Sequence, residues 1–535
     1  MEKSSLVSEF LKKDYLVCPD IFEFINENPS KFIDFLDQKF KEREKPFVIN
    51  KDILISLNFL NDLKFNWGEF DKSRVLLEKG RDLVSYFNCL KLINKKEDLD
   101  FGDNINKGNF SIKPNVKILK NYIKDEKKIE IQDFIGSFRV RYKNIRELLQ
   151  NRPELFDVIS INKIMNKKEK ETVSIIGMIS NKILTKNNNF IMEAEDLTGV
   201  IKVIIDKKNS ELYNICKDIM LDEVIGVVGS FSKGVLFCKN LIYADIPMTK
   251  ELKKCPDEVY AICTSDLHIG SKLFLKDEFL SFINWLNGSV GNEKQKEIAE
   301  KVKYLFFCGD SVAGIGVYPN QENQLVIKDI FEQYNELAEL LSKIRKDIFI
   351  IMCPGNHDAV RLSEPQPILD KEFAKPVYEL ENVILVTNPG WINIHSSDTF
   401  SGFDFLLYHG FSFPYFATNI ESIRKEGGTA RGELIKKYLL QRRHLAPSYS
   451  SSLYLPDTKK DHLIIDILPD FFVTGHLHQI SNLDYRNITL IGCGCWESLT
   501  EYQEKVGSKA DPSKVTLINL KTREIKILNF SKEAM

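Results

Sequence analysis

Long apolar runs are missing from this sequence of 535 residues. No run approaches the ~18 residues that a membrane-spanning helix requires, and the N-terminal stretch MEKSSLVSEFLKKDYLV lacks the apolar segment of a signal peptide. A soluble protein of the cytoplasm without membrane contact is therefore expected. Excess charge is missing too, because 74 Lys and Arg residues oppose 76 Asp and Glu residues. Any binding of a polyanion must therefore depend on a local basic surface.

Cysteine pairs with metal-binding spacing are scarce. The ten cysteines are scattered, and several lie in apolar segments such as LFFCGD and FIIMCPG, which indicates reduced thiols packed in a core. Cys493-Gly494-Cys495 has no second pair to complete a zinc ribbon, so packing is favoured over metal binding there. A GxxxxGK[ST] nucleotide-binding loop is also absent.

Changes of pattern along the chain predict a multidomain protein, as does its length at ~100–200 residues per domain. Short β-rich runs such as TVSIIGMIS and EVIGVVGSF surround one helical piece, SELYNICKDIM, which is typical of an OB-type barrel. Aromatic residues are sparse in these runs, so a protein-docking or spacer role is at least as well supported for the barrel as single-strand binding. The predicted segments are an α-helical N-terminal domain at 1–94, a charged linker at 95–130, a connecting amphipathic helix region at 131–170, an OB-type β-barrel at 171–248 and an α/β domain at 257–530.

Histidine is absent from the first half of the chain, and five of the eight histidines follow β-like apolar runs in the α/β segment. The carboxyl ends of parallel strands meet at one edge of a sheet, so the loops after these runs are expected to converge. Within Asp266-Leu267-His268 and His476-Leu477-His478 the spacing i, i+2 points both side chains the same way in extended backbone. Glycines beside the cluster permit sharp turns: Gly309, Gly355, Gly410 and Gly475.

These loops supply seven nitrogen or oxygen ligands and no thiolate, too many for one tetrahedral ion. They suit two ions of the Mn, Fe, Zn or Ni kind that share one carboxylate. Such a pair activates water and clamps both oxygens of a phosphoryl transfer, so phosphoester hydrolysis is predicted. His395, His444 and His462 lack this context and are predicted to be ordinary histidines. The predicted ligands are Asp266, His268, Asp310, Asn356, His409, His476 and His478.

The motifs DxH, GD, GNHD, HG and GHxH, in this order, resemble those of the calcineurin-like metallophosphoesterases. This resemblance implies that the α/β segment is a two-sheet αββα sandwich. Longer strings are similar to the small subunits of the archaeal family D DNA polymerases, and the similarity runs from the N-terminal segment to the end. The strings are GDSVAGIGVYPNQ, PGNHDAVRLSEPQP, RRHLAPSYS and TEYQEKVGSKADPSKV.

The second resemblance implies a 3′→5′ exonuclease that proofreads for a separate polymerising large subunit, with Mn²⁺ as the expected metal. DNA with a single-stranded 3′ end and a sliding clamp are the further expected partners. His357 would be the catalytic histidine that protonates or stabilises the leaving 3′ oxygen, and Asp358 would orient its ring. The implied ligands are Asp266, His268, Asp310 and His478 for the first metal, and Asp310, Asn356, His409 and His476 for the second.

Two departures from the family pattern affect substrate positioning. Ala313 stands where an acidic residue is expected, and the segment HGFSFPYF is unusually aromatic. Phosphate contacts and base stacking are what a proofreader needs, although a solvated face or subunit interface explains the basic candidates equally well, and packing is the commoner fate of aromatics. The candidates are Arg361, Lys436, Lys437, Arg442, Arg443, Phe411, Phe413, Tyr415 and Phe416.

Two other functions stay open. One is a metallophosphatase of another substrate class, which explains the ligands but not the barrel. The other is a catalytically silent assembly scaffold, as in the eukaryotic relatives within the replicative polymerases, which resemble scaffolds that have lost ligands. This sequence keeps the full ligand set, so hydrolysis is favoured.

Overall fold

The computed structural model divides the chain into two compact units, Met1–Asn109 and Phe110–Met535. In the first unit, strands β1 (Leu16–Val17) and β2 (Val48–Ile49) pair in parallel. The predicted helical domain at 1–94 lies almost entirely outside the described residues. The structure describes residues 112–122, 128–164, 167–500 and 509–533, with isolated positions at 10–13, 15–17, 33–34, 36, 48–49, 503–504 and 507.

The predicted linker requires a correction. Residues 116–120 form a strand, β3 (Val116–Lys120), whose partner is a strand of the second sheet described below. Its VKILK sequence has the short β-rich pattern, but the surrounding charged residues obscured it. Helix α1 (Ile131–Gln150) then starts at the capping box of Glu130 and Asp133 and buries Tyr142, Ile145 and Leu149, as expected of an amphipathic helix that packs on a core.

A closed five-stranded barrel follows α1 and the short helix α2 (Ile161–Ile164). The strand order is β4-β5-β6-β8-β7, and helix α3 (Ser210–Lys217) lies between β6 and β7, where the sequence predicted a helical piece. Alternate side chains of the strands fill one core, as period-two burial requires. The strands are β4 (Thr172–Leu184), β5 (Phe190–Glu195), β6 (Val200–Ile205), β7 (Val224–Ser232) and β8 (Val235–Ile242).

The remaining strands form two six-stranded sheets. The first has the order β12-β11-β10-β9-β18-β19, with β9 to β12 parallel. The second has the order β16-β17-β15-β14-β13-β3, with β14, β15 and β17 parallel. The strands are β9 (Tyr260–Thr264), β10 (Val302–Cys308), β11 (Phe349–Cys353), β12 (Val383–Leu385), β13 (Gly390–Ile394), β14 (Phe403–Leu407), β15 (Phe471–Thr474), β16 (Ser481–Tyr485), β17 (Ile488–Gly492), β18 (Lys514–Asn519) and β19 (Ile525–Asn529).

The two sheets pack face to face, and helices cover their outer faces. Phe306 of β10 and Phe405 of β14 stack across the gap with ring centroids 4.4 Å apart. Leu305 points the other way, into the cluster with the helices, so both faces of the central strands are buried and most of their side chains are apolar. The helices are α4 (Lys276–Leu286), α5 (Glu293–Glu300), α6 (Ile330–Ser342), α7 (Lys375–Tyr378), α8 (Phe413–Asn419), α9 (Glu421–Glu426) and α10 (Gly432–Arg442).

The structure thus contains the five-stranded barrel and the mixed α/β region that the sequence predicted. Assignment of the barrel to the OB type and the exact domain boundaries stay predictions. Seven of the eight described cysteines are buried free thiols, as expected, including Cys493 between the two sheets, and Cys238 of β8 is half-buried; Cys18 and Cys89 lie outside the described residues. No helix in the described ranges is long and apolar enough to span a membrane.

Candidate metal centre

The loops after five strands meet at one edge of the paired sheets. Strands β9, β10 and β11 of the first sheet are mutually parallel, and so are β14 and β15 of the second. The expected convergence is therefore present, because the carboxyl ends of these strands face the same region. Three overlapping groups of metal-competent side chains lie there, with donor atoms of each group within 4.8 Å of one another: Asp266, His268 and His478; His268, Asp310 and His357; Asp310, His409 and His476.

The first group places its donors in direct contact. His478 Nε2 lies 3.2 Å from Asp266 Oδ1 and 3.1 Å from His268 Nε2. Around the other ligands, His409 Nε2 lies 3.2 Å from Asp310 Oδ2 and 3.0 Å from Asn356 Oδ1. All are nitrogen or oxygen donors, the set that suits first-row transition metals.

Asp310 stands between the two sets of ligands. Its Oδ2 atom is 3.2 Å from His409 Nε2 and 3.9 Å from His268 Nε2. One carboxylate oxygen therefore faces a histidine of each set, which is the position that a bridging ligand requires. Its other oxygen, Oδ1, accepts a hydrogen bond of 2.8 Å from the His357 amide, so the carboxylate is held in this orientation. The residues present therefore fit a pair of divalent ions.

The backbone of the ligand pairs differs from the expectation. Asp266 and His268 have φ of 53° and 50°, and His476 and His478 have φ of 68° and 57°, so both pairs are left-handed and not extended. Such conformations cost about 1–3 kcal/mol for each residue other than glycine, and they concentrate at functional sites. Asp266 and His268 converge on one group through these turns, whereas His476 and His478 belong to different groups, so strand alternation explains neither pair.

Two glycines are required by close packing against ligands. A Cβ atom on Gly355 would lie 2.1 Å from Asp310 Oδ1, and one on Gly309, whose φ is +93°, would lie 2.3 Å from His409 Nδ1. Both positions were predicted as turn glycines, and the structure adds the reason that they exclude a side chain.

Burial and mutual charge set the protonation of the cluster. Burial raises the pKa of Asp310, but His409 and His357 beside it outweigh this effect and hold the pKa well below its usual range. Burial lowers the pKa of His409, yet Asp310 opposes it and raises the value to about 10. Burial and the neighbouring charge of His409 lower the pKa of His476 to about 3. Asp310 is thus a permanent anion at the centre of the site.

His357 lies beside the first group, with its ring centroid 4.6 Å from that of His268. The Nδ1–H of His357 donates to the Ala313 carbonyl at 2.8 Å, so the Nε2 atom carries the free lone pair or the exchangeable proton. The predicted orienting role of Asp358 is therefore wrong: its carboxylate accepts from the amides of Ser311 and Gly355 and organises the loop instead. The contact of Ala313 with His357 is made by the backbone carbonyl, which every residue has. An acidic side chain at position 313, as the family pattern predicts, is therefore not needed for this contact.

Most of the predicted DNA-contact residues are not available to DNA. Arg442, Arg443, Lys436 and Phe413 are buried, at 7%, 3%, 0% and 0% exposure, and Phe416 is buried as well. The arginines bind within the protein: Arg442 pairs with Glu223 at 3.3 Å, and Arg443 donates to the Ile465 carbonyl at 2.6 Å. Charge in the sequence could not reveal that these side chains point inward.

Four candidates keep some exposure, and one of them, Phe411, lies at the metal centre. Phe411 is half-buried with its ring 5.8 Å from that of His476. Arg361 is half-buried and donates to the carbonyls of Ser363 and Pro365. Lys437 and Tyr415 are also half-buried.

Sequence reasoning missed Tyr318. Its ring centroid lies 6.2 Å from that of His357, and the residue is 39% exposed. It belongs to the string GDSVAGIGVYPNQ, which carries no periodicity that would single out one aromatic residue, so only the folded loop reveals its position.

The other three histidines lie outside the cluster, as predicted. His444 bonds to Asp461 at 3.0 Å, and His462 to Asp457 at 3.3 Å. His395 bonds to Asp257 at 3.2 Å and, with Cys255, forms a separate group of donor atoms that hydrogen-bond to one another.

Known proteins resemble this chain over most of its length. A family model for the B-subunits of DNA polymerases alpha and epsilon matches residues 261–482. The DNA polymerase II small subunit of Pyrococcus furiosus is 37% identical over 449 residues, which cover 83% of this chain and 70% of that protein. The corresponding protein of Methanothermobacter thermautotrophicus is 39% identical over 402 residues, which cover 75% of this chain and 80% of that protein.

A third relative, from Pyrococcus abyssi, is 34% identical over 499 residues, which cover 89% of this chain and 78% of that protein. A solved structure of an archaeal phosphodiesterase aligns with 50% of this chain and 99% of its own at 14% identity, but its TM-score of 0.25 is too low to support a conclusion. The identities to the curated relatives are high over most of both lengths, and the chain belongs to the family of small subunits of the archaeal family D DNA polymerases, named DNA polymerase II small subunit.

Proposed function

We propose that this chain is a two-metal 3′→5′ exonuclease that hydrolyses phosphodiesters at single-stranded or mispaired 3′ ends and docks on a separate polymerising subunit. The observation that carries the proposal is the position of Asp310 Oδ2 between His409 and His268. Membership of a family named for its small subunits supports the presence of a larger partner.

The two sets of ligands would hold the ions. Asp266, His268 and His478 would bind one, and His409, His476 and Asn356 the other, with Asp310 shared. Two divalent ions supply Lewis-acid stabilisation of the phosphoryl oxygens and lower the pKa of the attacking water. Mn²⁺ is the proposed ion, one of the first-row metals that imidazole, carboxylate and amide oxygen donors without thiolate suit.

The proton for the leaving group would come from His357. A water oxygen would bond to phosphorus while the bond from phosphorus to the 3′ oxygen breaks. The 3′ oxygen would take a proton from Nε2, and the proton released by the attacking water would pass to solvent, from which Nε2 is protonated again. Burial lowers the pKa of His357, although Asp310 raises it. The anionic phosphodiester adds a further negative charge beside the ring, which favours the protonated form when substrate is bound. The hydrogen bond to the Ala313 carbonyl keeps Nε2 pointed away from the loop.

The experiment is hydrolysis of 3′-labelled single-stranded DNA by the purified full chain with Mn²⁺. We expect release of nucleoside monophosphates, and we expect His357→Ala to lower the rate about 100-fold or more, the usual contribution of general acid catalysis. His462→Ala, at a histidine outside the cluster, is the matched control and should keep the wild-type rate.

Two outcomes would contradict the proposal. DNA that stays intact in the presence of excess Mn²⁺ would support a catalytically silent scaffold. Cleavage of phosphomonoesters but not of DNA would indicate a phosphatase.

A further inference from the structure

We propose that Tyr318 is a stacking platform for one unpaired base, that of the nucleotide which keeps the leaving 3′ oxygen. The proposal rests on the exonuclease function above and adds how a single-stranded end is held. It starts from an aromatic side chain that is 39% exposed at the rim of the metal centre.

Tyr318 lies next to the residue that handles the leaving group. Its ring is 6.2 Å from the His357 ring at an interplanar angle of 63°. The hydroxyl donates to Gln324 Oε1 at 2.7 Å, which restrains rotation of the side chain while the ring remains accessible. An ordered, accessible aromatic ring is what base stacking requires, and it needs no sequence preference because every base has a π-face.

The loop around Tyr318 is pinned from beneath by the buried side chain of Gln321, which is 1% exposed. Its Oε1 accepts from the Val317 amide at 2.9 Å, and its Nε2 donates to the Ala313 carbonyl at 2.8 Å. The same carbonyl accepts from His357, so one oxygen connects the catalytic ring to the loop that carries Tyr318.

A second buried glutamine fixes the ends of the loop. Gln333 accepts from the Gly314 amide at 2.9 Å and donates to the Gly314 and Ile327 carbonyls at 3.2 and 2.8 Å. Residues 313–327 are therefore held by side chains that have almost no exposure to solvent. A platform that is already ordered loses little entropy when a base stacks on it.

The position of Tyr318 also determines which base it would hold. His357 serves the leaving 3′ oxygen, which belongs to the penultimate nucleotide of the strand. Tyr318 is on this side, whereas Phe411 lies beside His476 of the other set of ligands. We therefore assign the penultimate base to Tyr318 and the departing terminal nucleotide to the Phe411 side. A protein partner seated on Tyr318 would cover His357, so a nucleobase is the better occupant.

The test pairs a variant with a matching substrate. Tyr318→Leu should lower kcat/KM on single-stranded DNA about tenfold, a typical effect of losing one stacked base. On a strand with an abasic residue at the penultimate position, wild type should already show that loss and the variant should show no further loss. On a strand that is abasic at the terminal position, the effect of Tyr318→Leu should persist.

Phe156→Leu, at a residue 61% exposed in the connection between α1 and the barrel, is the matched aromatic control. An equal loss by Tyr318→Leu on the penultimate abasic strand would overturn the stacking assignment and leave the exonuclease intact. If wild type hydrolyses no DNA, the proposed function fails. The stacking role of Tyr318 is then tested by DNA binding alone. A 2-aminopurine at the penultimate position should then be quenched on binding in Ca²⁺ by wild type, and quenching that survives in Tyr318→Leu would overturn the assignment.

Discussion

Close packing inside the candidate metal centre occurs where a residue has no side chain. A Cβ atom added to Gly355 would meet Asp310 Oδ1 at 2.1 Å and the Asp310 backbone nitrogen at 2.5 Å. Gly355→Ala must therefore displace the shared carboxylate or its strand end. We expect loss of bound Mn²⁺ and about a 100-fold fall in hydrolysis, the size of effect that a 1 Å misplacement causes. Metal analysis of the purified variant measures the first effect directly.

Gly199→Ala is the control for this substitution. Its added Cβ would meet the Ile161 side chain at 3.5 Å, an ordinary contact in the barrel. Wild-type metal content in Gly355→Ala would show that the loop can relax and that the glycine is not required.

Glu364 is a buried carboxyl group behind His409, a proposed metal ligand. Its Oε2 accepts from Tyr408 at 2.9 Å and from Ser452 at 2.6 Å, while Oε1 is buried without a partner. Burial raises its pKa to about 7, although these two hydrogen bonds oppose the shift. The folded state therefore binds a proton more tightly than the unfolded chain, whose value is about 4.3.

The sign of the pH dependence follows from this difference. The stability from protonated Glu364 is complete below the unfolded pKa and is lost as pH rises through about 7. Relative to wild type, Glu364→Gln should gain about 2–3 kcal/mol of unfolding free energy between about pH 5 and about pH 8. Urea unfolding at both pH values measures it, with the exposed Glu297→Gln as control. If the unfolding free energies of Glu364→Gln and wild type differ by the same amount at both pH values, the raised pKa of Glu364 is contradicted.

At the scale of elements, one side chain joins the last turn of α10 to the barrel. The Arg442 guanidinium lies 3.6 Å from the Tyr438 ring and 4.1 Å from the Tyr243 ring, and its Nε is 3.3 Å from Glu223 Oε2. Glu223 is 1% exposed and lies directly before β7, so the contact fixes the barrel against the helix that covers the second sheet.

Arg442→Met should destabilise the protein by about 3–5 kcal/mol, because it leaves a buried carboxylate without its charge partner. The double variant Arg442→Met/Glu223→Gln should recover part of this loss. Urea unfolding provides the measurement, and Lys425→Met at a largely exposed ion pair should change stability by less than about 1 kcal/mol. Equal losses for the single and double variants would show that stacking on the tyrosines, and not the charge pair, provides the stability.

At the scale of the whole molecule, the proposed metal ligands come from both sheets. Asp266 and Asp310 follow strands of the first sheet, whereas His409 and His478 follow strands of the second. Ions bound between them would hold the sheets together at that edge. Such ions would bind the folded state and not the unfolded chain, so they would raise the free energy of unfolding. We expect Mn²⁺ at ~100 times its dissociation constant to add about 2.7 kcal/mol of stability, and excess chelator to remove it.

Thermal unfolding of the full chain with Mn²⁺ and with chelator checks this prediction. Asp310→Asn should abolish the difference, whereas Asp347→Asn, at a half-exposed surface ion pair, should preserve it. A melting temperature independent of Mn²⁺ in wild type would argue against ions that bridge the sheets.

Local patterns in the sequence were enough to predict much of this fold. The strands before Asp266, Asp310 and His409 end in apolar runs because both of their faces are buried there, and such runs can be recognised without a structure. The five barrel strands were visible from their short β-rich runs. Strand β3 was missed because it is a half-exposed edge strand within charged sequence.

The sequence by itself determined which residues could bind metal and that they would meet, since strand ends and ligand types are local properties. Only the tertiary structure decided how the donors converge, through left-handed turns at residues such as Asp266 and His478. It also decided that Arg442 points inward and that Tyr318 stands beside His357. The direction of a side chain depends on contacts between segments far apart in the chain, and composition and periodicity carry no record of those contacts.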